Sequence, residues 1–164
     1  MSLQDTKGIH VFEKRLRPEK YAGLWESIYV DGHLKDALLC QAILNFTFRP
    51  KVAPEAVPLH GIILLVGPPG TGKTSLAKGL ASSVAATLSP RGHGLTYIEV
   101  EPHSLTSSAM GKSQRAVTEL FRSISEHASQ GPTFVLLDEV ETLIADRTKL
   151  SMDANPIDVQ RTQC

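Results

Sequence analysis

The sequence predicts an α/β fold with a parallel sheet and flanking helices. Three observations predict it: short apolar runs alternate with helical stretches after residue 60, a glycine-rich loop joins the first run to the first helix, and the last run ends in two acids. The first run, Ile62 to Val66, is β-branched and leucine-rich, as expected of a strand buried on both faces. Thr74 to Leu88 follows as a helix with Leu76, Leu80, Val84 and Leu88 on one stripe. Leu95 to Val100 is the second strand. Gly111 to Ala128 is an amphipathic helix with Val117, Leu120, Phe121, Ile124 and Ala128 at helical spacing. Gly131 and Pro132 break it, and Phe134 to Leu137 is the third strand, fully apolar. Strand-helix-strand-helix-strand implies parallel strands joined by right-handed crossovers.

Ahead of this alternation the chain is more mixed. The first ten residues are polar, and residues 1–20 are expected to be loosely ordered, with 21–164 forming the folded unit. Phe12, Tyr21, Trp25 and Tyr29 are aromatic anchors among charges, with Pro18 and Gly23 as breaks. Asp31-Gly32 signals a turn. Leu34 to Phe48 reads as a largely buried helix that ends before Pro50, because the residue preceding a proline resists the helical region. Pro50, Pro54 and Pro58 space out a stiff connecting loop.

Composition narrows the class. The chain has 164 residues, and 17 Lys+Arg balance 17 Asp+Glu, which argues against a dedicated nucleic-acid binder. Hydrophobic residues make up 41%, enough for a single core. The longest apolar run, Ile62 to Val66, is far short of a membrane span, so no membrane role is expected. Two cysteines, Cys40 and Cys164, make no disulfide framework. Cys40 lies in an apolar run and is expected to be a buried small hydrophobe. The six histidines are scattered without metal-ligand spacing, each expected in a solvated or core role. With no apolar secretory segment at the N-terminus, the expected location is the cytoplasm, or the nucleus in a eukaryote.

The strongest chemical signal is Gly67, Pro68, Pro69, Gly70, Thr71, Gly72, Lys73 and Thr74, a full match to G-x-x-x-x-G-K-[ST] between a predicted strand and a predicted helix. Gly67, Gly70 and Gly72 allow backbone conformations that turn a series of N–H groups inward. Those donors and the helix N-terminus, reaching Ser75, form a cradle for nucleotide phosphates. Lys73 is placed for the β- and γ-phosphates, and the Thr74 hydroxyl for Mg²⁺. The second signal is the apolar strand ending in Asp138 and Glu139. Asp138 can hold the Mg²⁺ shell opposite Thr74, and Glu139 can polarise a water for in-line attack on the γ-phosphate. These residues make ATP and Mg²⁺ the expected cofactors.

Gly67 to Thr74 together with Leu137-Asp138-Glu139 resembles the AAA+ division of P-loop ATPases, here its large subdomain. Leu24-Trp25-Glu26-Ser27-Ile28-Tyr29, Pro102-His103-Ser104-Leu105 and Asp138-Glu139-Val140-Glu141-Thr142-Leu143 are similar to the pachytene checkpoint protein 2 family, over roughly residues 20 to 161. The resemblance implies an ATP-driven homohexamer that remodels HORMA-domain protein clients by engaging a terminal segment. Bacterial relatives are implied to do the same in anti-phage operons. Leu24 to Tyr29 would lie near the adenine, although Trp25 also fits a plain core aromatic. Thr106 to Lys112 falls at the family's substrate-gripping pore loop. The family often offers an aromatic and a large apolar residue where Ala109, Met110 and Gly111 stand here. Met110 either grips a threaded chain or the loop merely starts the next helix. Glu141 either orients the neighbouring acids or is solvated.

The chain runs to Cys164, 25 residues past Glu139. The resemblance implies a further strand with a polar sensor, an arginine-bearing helix and a helical lid, none of which fits in that length. The missing strand would lie between the P-loop strand and the Asp-Glu strand, so a truncated sheet with an unfilled gap is expected. Three readings stay open, the first two being an ATPase part of a protein-remodelling ring and a nucleotide-binding or interaction module without its own turnover. A third is another AAA+ unfoldase or disassembly role.

Overall fold

In a computed structural model of the chain, residues 3, 6–53, 56, 60–105 and 112–140 are described, with 112–114 as backbone only. The elements in order are β1 (Ile9–Glu13), α1 (Ala22–Ser27), α2 (Gly32–Thr47), α3 (Lys73–Leu88), β2 (Thr96–Val100), α4 (Lys112–Ala128) and β3 (Thr133–Leu137). Short 3-10 turns occupy Arg49–Lys51, Ser89–Arg91 and Pro102–Ser104, each with proline near its start.

The sheet has the order β1-β2-β3. β2 and β3 are parallel and in register from Thr96↔Thr133 to Val100↔Leu137. Helix α4 is the crossover that parallel strands require. Alternate residues of the sheet face opposite sides. On one side Tyr97, Leu136, Phe134 and Val11 pack with Leu76, Leu80, Val84 and Leu88 of α3. On the other, Ile98, Val100, Val135, Leu137 and Phe12 pack with Leu120 and Ile124 of α4. The sheet is therefore covered by a helix on each face, as the α/β reading expects.

Four expectations need correction. The segment 1–20 is not loose throughout: β1 pairs antiparallel with β2, and Leu16 is buried while its N–H donates to Leu95 O at 2.8 Å. Ile-His-Val-Phe-Glu is rich in β-formers, and an unpaired β2 edge is a template for such a segment. The register shifts between Ile9 and Val11, leaving His10 as an extra residue at a bulge.

The second correction concerns Ile62 to Val66, which forms no paired strand among the described residues. Its exposure nevertheless alternates. Ile63 and Leu65 pack against the α3 core, while Ile62, Leu64 and Val66 are 75%, 71% and 84% exposed. Beside this segment lies an open slot of about 1150 Å³ whose lining includes Ile62–Leu65, Phe121 of α4 and the whole of β3. Strand-like alternation without hydrogen-bond partners is what an apolar strand shows when its neighbour in the sheet is not beside it.

Third, helix α2 has nearly the expected span but not the expected burial. Asp31 caps it, its carboxylate accepting from His33 N at 2.9 Å, so the turn signal is a helix start. Only Leu38 and Ala42 are buried, and Leu34, Leu44 and Phe48 are exposed. Its apolar residues cover more faces than the single stripe that meets α3. Fourth, Cys40 is exposed for the same reason.

Candidate functional site

The site sits where the N-terminus of α3 approaches the C-terminal ends of β2 and β3, the usual ligand side of an open parallel sheet. The loop 67–72 is shaped by two residues with positive φ, Gly70 at 77° and Gly72 at 83°. Such torsions suit glycine, and a side chain there would be strained. Gly67 lacks a positive φ, which corrects the expectation that all three glycines are needed for their torsions. The Thr71 hydroxyl donates to Pro68 O at 2.8 Å and closes the loop. Lys73 Nζ folds back over it, donating to Gly67 O at 2.9 Å and Pro68 O at 2.7 Å.

Gly72 is the N-cap of α3, and no side chain caps the helix. The first N–H groups of a 16-residue helix therefore point outward uncapped, beside Lys73, with the positive end of the helix dipole behind them. Ser75 lies in that first turn. The loop offers an anion both a cation and a row of donors.

Across from it, β3 delivers Asp138 and Glu139 at its C-terminal end. The Thr74 hydroxyl donates to Asp138 Oδ2 at 2.7 Å, so the two hard oxygen donors assigned to Mg²⁺ stand side by side. Among the described residues no group of three or more His, Cys, Asp or Glu can hold a metal. Mg²⁺ usually takes one or two protein oxygens and completes its shell from phosphates and water, and Thr74 with Asp138 supplies such a pair. The residues present fit the ion.

Glu139 is the one non-glycine residue with positive φ among those described, at 52°. Its backbone N–H donates to Asp138 Oδ1 at 3.1 Å, and its Oε2 lies 2.6 Å from His103 Nε2. Behind the site, Glu99 accepts from the Tyr97 hydroxyl at 3.1 Å and pairs with Lys78 of α3 at 2.8 Å. Burial first, and then the Glu99 carboxylate, push the Tyr97 phenol far above its ordinary range, so it stays protonated.

Of the segment expected near the base, Ile28 reaches the loop: its Cδ1 lies 3.7 Å from where a Cβ on Gly72 would stand. Trp25 packs partly buried against the α3 core, with Lys35 over its ring and donating to its carbonyl. That is the plain aromatic alternative. Ala109, Met110, Gly111 and Glu141 lie outside the described residues. His103, expected in a solvated or core role, instead reaches Glu139; its one signal in the sequence is its place in Pro102–Leu105 just after a strand.

Residues 63–162 match the model of the family described as AAA, the ATPase family associated with various cellular activities. The chain is 63% identical over 157 residues to CD-NTase-associated protein 6 of Pseudomonas aeruginosa, covering 94% of this chain and 50% of that protein. It is 40% identical over 151 residues to the Pachytene checkpoint protein 2 homolog of Arabidopsis thaliana, covering 90% and 32%. Among solved structures, C. elegans PCH-2 matches with a TM-score of 0.63 at 31% identity, over 82% of this chain and 36% of that one. The chain thus spans half or less of the length of these relatives. Its phosphate loop, its acidic partner and this match over most of its length agree, and the chain belongs to the AAA ATPase family.

Proposed function

We propose that the chain forms the nucleotide-binding part of an ATPase that binds ATP with Mg²⁺ and, in its intact protein, hydrolyses it to remodel a protein client. The carrying observation is the 2.7 Å hydrogen bond between Thr74 and Asp138, residues 64 positions apart that the fold brings together beside Lys73. The cradle of residues 67–75 holds the phosphates, with Lys73 exchanging its loop carbonyls for phosphate oxygens. Thr74 and Asp138 would hold Mg²⁺, which neutralises phosphate charge when bound. Glu139 orients the attacking water and takes its proton.

The resemblance to pachytene checkpoint protein 2 homologues supports a HORMA-domain protein as client and a homohexamer as the working assembly. Action in the cytoplasm, or in the nucleus of a eukaryote, is part of the same proposal. The balanced charge of the chain favours a protein client over nucleic acid.

ATP turnover and binding of a fluorescent ATP analogue by the intact protein test the proposal. Lys73→Ala should weaken binding by roughly 10- to 100-fold, the value of a charge-assisted contact of about 1.5–3 kcal/mol. Glu139→Gln should keep binding and lose turnover. Unchanged affinity in the first variant removes the cradle. Unchanged turnover in the second removes the assigned base, and a wild-type protein that binds without turnover supports the non-hydrolysing module instead. Pull-down of HORMA proteins with the Glu139→Gln variant tests the client, and failure with every cognate candidate removes it.

A further inference from the structure

We propose that His103 is a positioning residue for Glu139, fixing the carboxylate that the hydrolysis needs; this rests on the ATPase reading above. The juxtaposition follows from the sheet. Val100 and Leu137 are register partners at the parallel ends of β2 and β3, so the residues just past each strand emerge side by side. On one side is the strand end carrying Glu139. On the other is the 3-10 turn Pro102–Ser104.

That turn is well anchored. Pro102 is buried at its start, and Leu105 just beyond it is 1% exposed, packed with Leu120 and Ile124. Leu105 N donates to Pro102 O at 2.9 Å, and the Ser104 hydroxyl donates to Glu101 O at 2.8 Å. Glu101 N in turn donates to Gly8 O at 2.9 Å, which ties the turn to the approach of β1. His103 is therefore presented from a held backbone, although its ring is more than half exposed.

Its Nε2 stands 2.6 Å from Glu139 Oε2, short for a nitrogen–oxygen pair. An ionised carboxylate only accepts, so Nε2 is the donor. One carboxylate oxygen is thus engaged.

The backbone supplies the independent reason that Glu139 needs holding. Its φ of 52° is sparsely populated for a side-chain-bearing residue and is strained. Such a torsion persists where the surroundings fix it, and here it swings the side chain toward a pocket of about 210 Å³. Its lining includes His10, Glu101, His103, Asp138 and Glu139. With Oε2 released, the carboxylate can explore rotamers that do not face the phosphates, and the water it orients is lost with it.

The test uses the intact protein and compares wild type with His103→Ala, His103→Gln and Glu139→Gln. His103→Ala should lower kcat by roughly 10- to 100-fold, in the range that a misplaced catalytic group costs. KM and the affinity for a fluorescent ATP analogue should stay within about twofold, since no phosphate contact is touched. His103→Gln, whose amide nitrogen also donates, should recover most of the rate. Wild-type kcat in His103→Ala overturns the inference while leaving the ATPase reading intact, provided Glu139→Gln is inactive. An equal loss in His103→Gln, or a parallel loss of nucleotide affinity, also overturns it. Full turnover in Glu139→Gln instead overturns the role of Glu139 and this inference together.

Discussion

Gly79 lies in the middle of α3, where glycine is a poor helix former, and its replacement by alanine is expected to destabilise the chain. On propensity alone the change should stabilise by about 1 kcal/mol. The packing reverses the sign. A Cβ at position 79 would stand 2.8 Å from both Cα and N of Trp25 and 2.9 Å from its Cβ. Carbon atoms in favourable contact sit about 3.5–4.0 Å apart, so α1 would have to retreat by roughly 1 Å. The clashing atoms are mostly backbone, with no flexible side-chain end to swing away. Two tethers resist the retreat: Tyr21 N donates to the buried Ser82 hydroxyl at 3.0 Å, and Lys35 donates to the Trp25 carbonyl. Overpacking costs about 1–3 kcal/mol, and this arrangement belongs in the upper half of that range. The net loss is about 1–2 kcal/mol, or a Tm lower by roughly 2–8 °C for a domain of this size. Thermal melting followed by circular dichroism reads it. Because α1 leads into Ile28 beside Gly72, nucleotide affinity should fall as well. A Gly79→Ala protein that melts at or above the wild-type temperature would refute the close-approach argument.

Three further outcomes are expected. Thr74→Val and Asp138→Asn should each remove most of the Mg²⁺-dependent gain in nucleotide affinity while leaving Mg²⁺-free binding within about twofold, as titration of the analogue with and without the ion will show. Tyr97→Phe should change the alkaline arm of the stability curve. The folded state keeps the phenol protonated where the unfolded chain ionises at about pH 10, so the unfolded state binds fewer protons above that pH and wild-type stability falls as pH rises. The fall should be shallower in Tyr97→Phe when melts are compared between pH 9 and 11, and identical slopes would exclude the burial argument. Gly8→Ala meets both a φ of 101° and a contact of 2.6 Å with the Leu105 side chain. It should lower Tm by several degrees and reduce kcat by moving the turn that carries His103; an unchanged Tm would show that the segment before β1 is not tightly held.

What the sequence disclosed was the part whose rules are local. Lys73, Thr74, Asp138 and Glu139 sit in patterns that chemistry requires at fixed spacing, and the buried stripe of α3 repeats at helical period. The parallel pairing of β2 with β3 followed from the helix between them. The missed features are pairings between distant segments. Ile9–Glu13 carried strand-forming residues, but its partner lies more than 80 positions away. His103 gained its role only because two strand ends are adjacent, and a single histidine in a polar turn announces nothing. Ile62 to Val66 shows the opposite failure. Its composition reads as a strand, yet a strand is defined by a neighbour, and composition does not supply one.

The slot between that unpaired segment and β3 gives the site a mechanical character. Phosphate loop and acidic pair stand on opposite banks, and the hydroxyl–carboxylate bond from Thr74 to Asp138 reaches across. A ligand gripped from both banks works as a staple. Its binding free energy adds directly to the stability of the fold, about 2.7 kcal/mol at a hundredfold excess over Kd. The converse also holds. Whatever spreads the banks weakens the grip on a ligand that spans them. A nucleotide held between Thr74 and Asp138 would thus be felt in the stability of the fold as well as in the site.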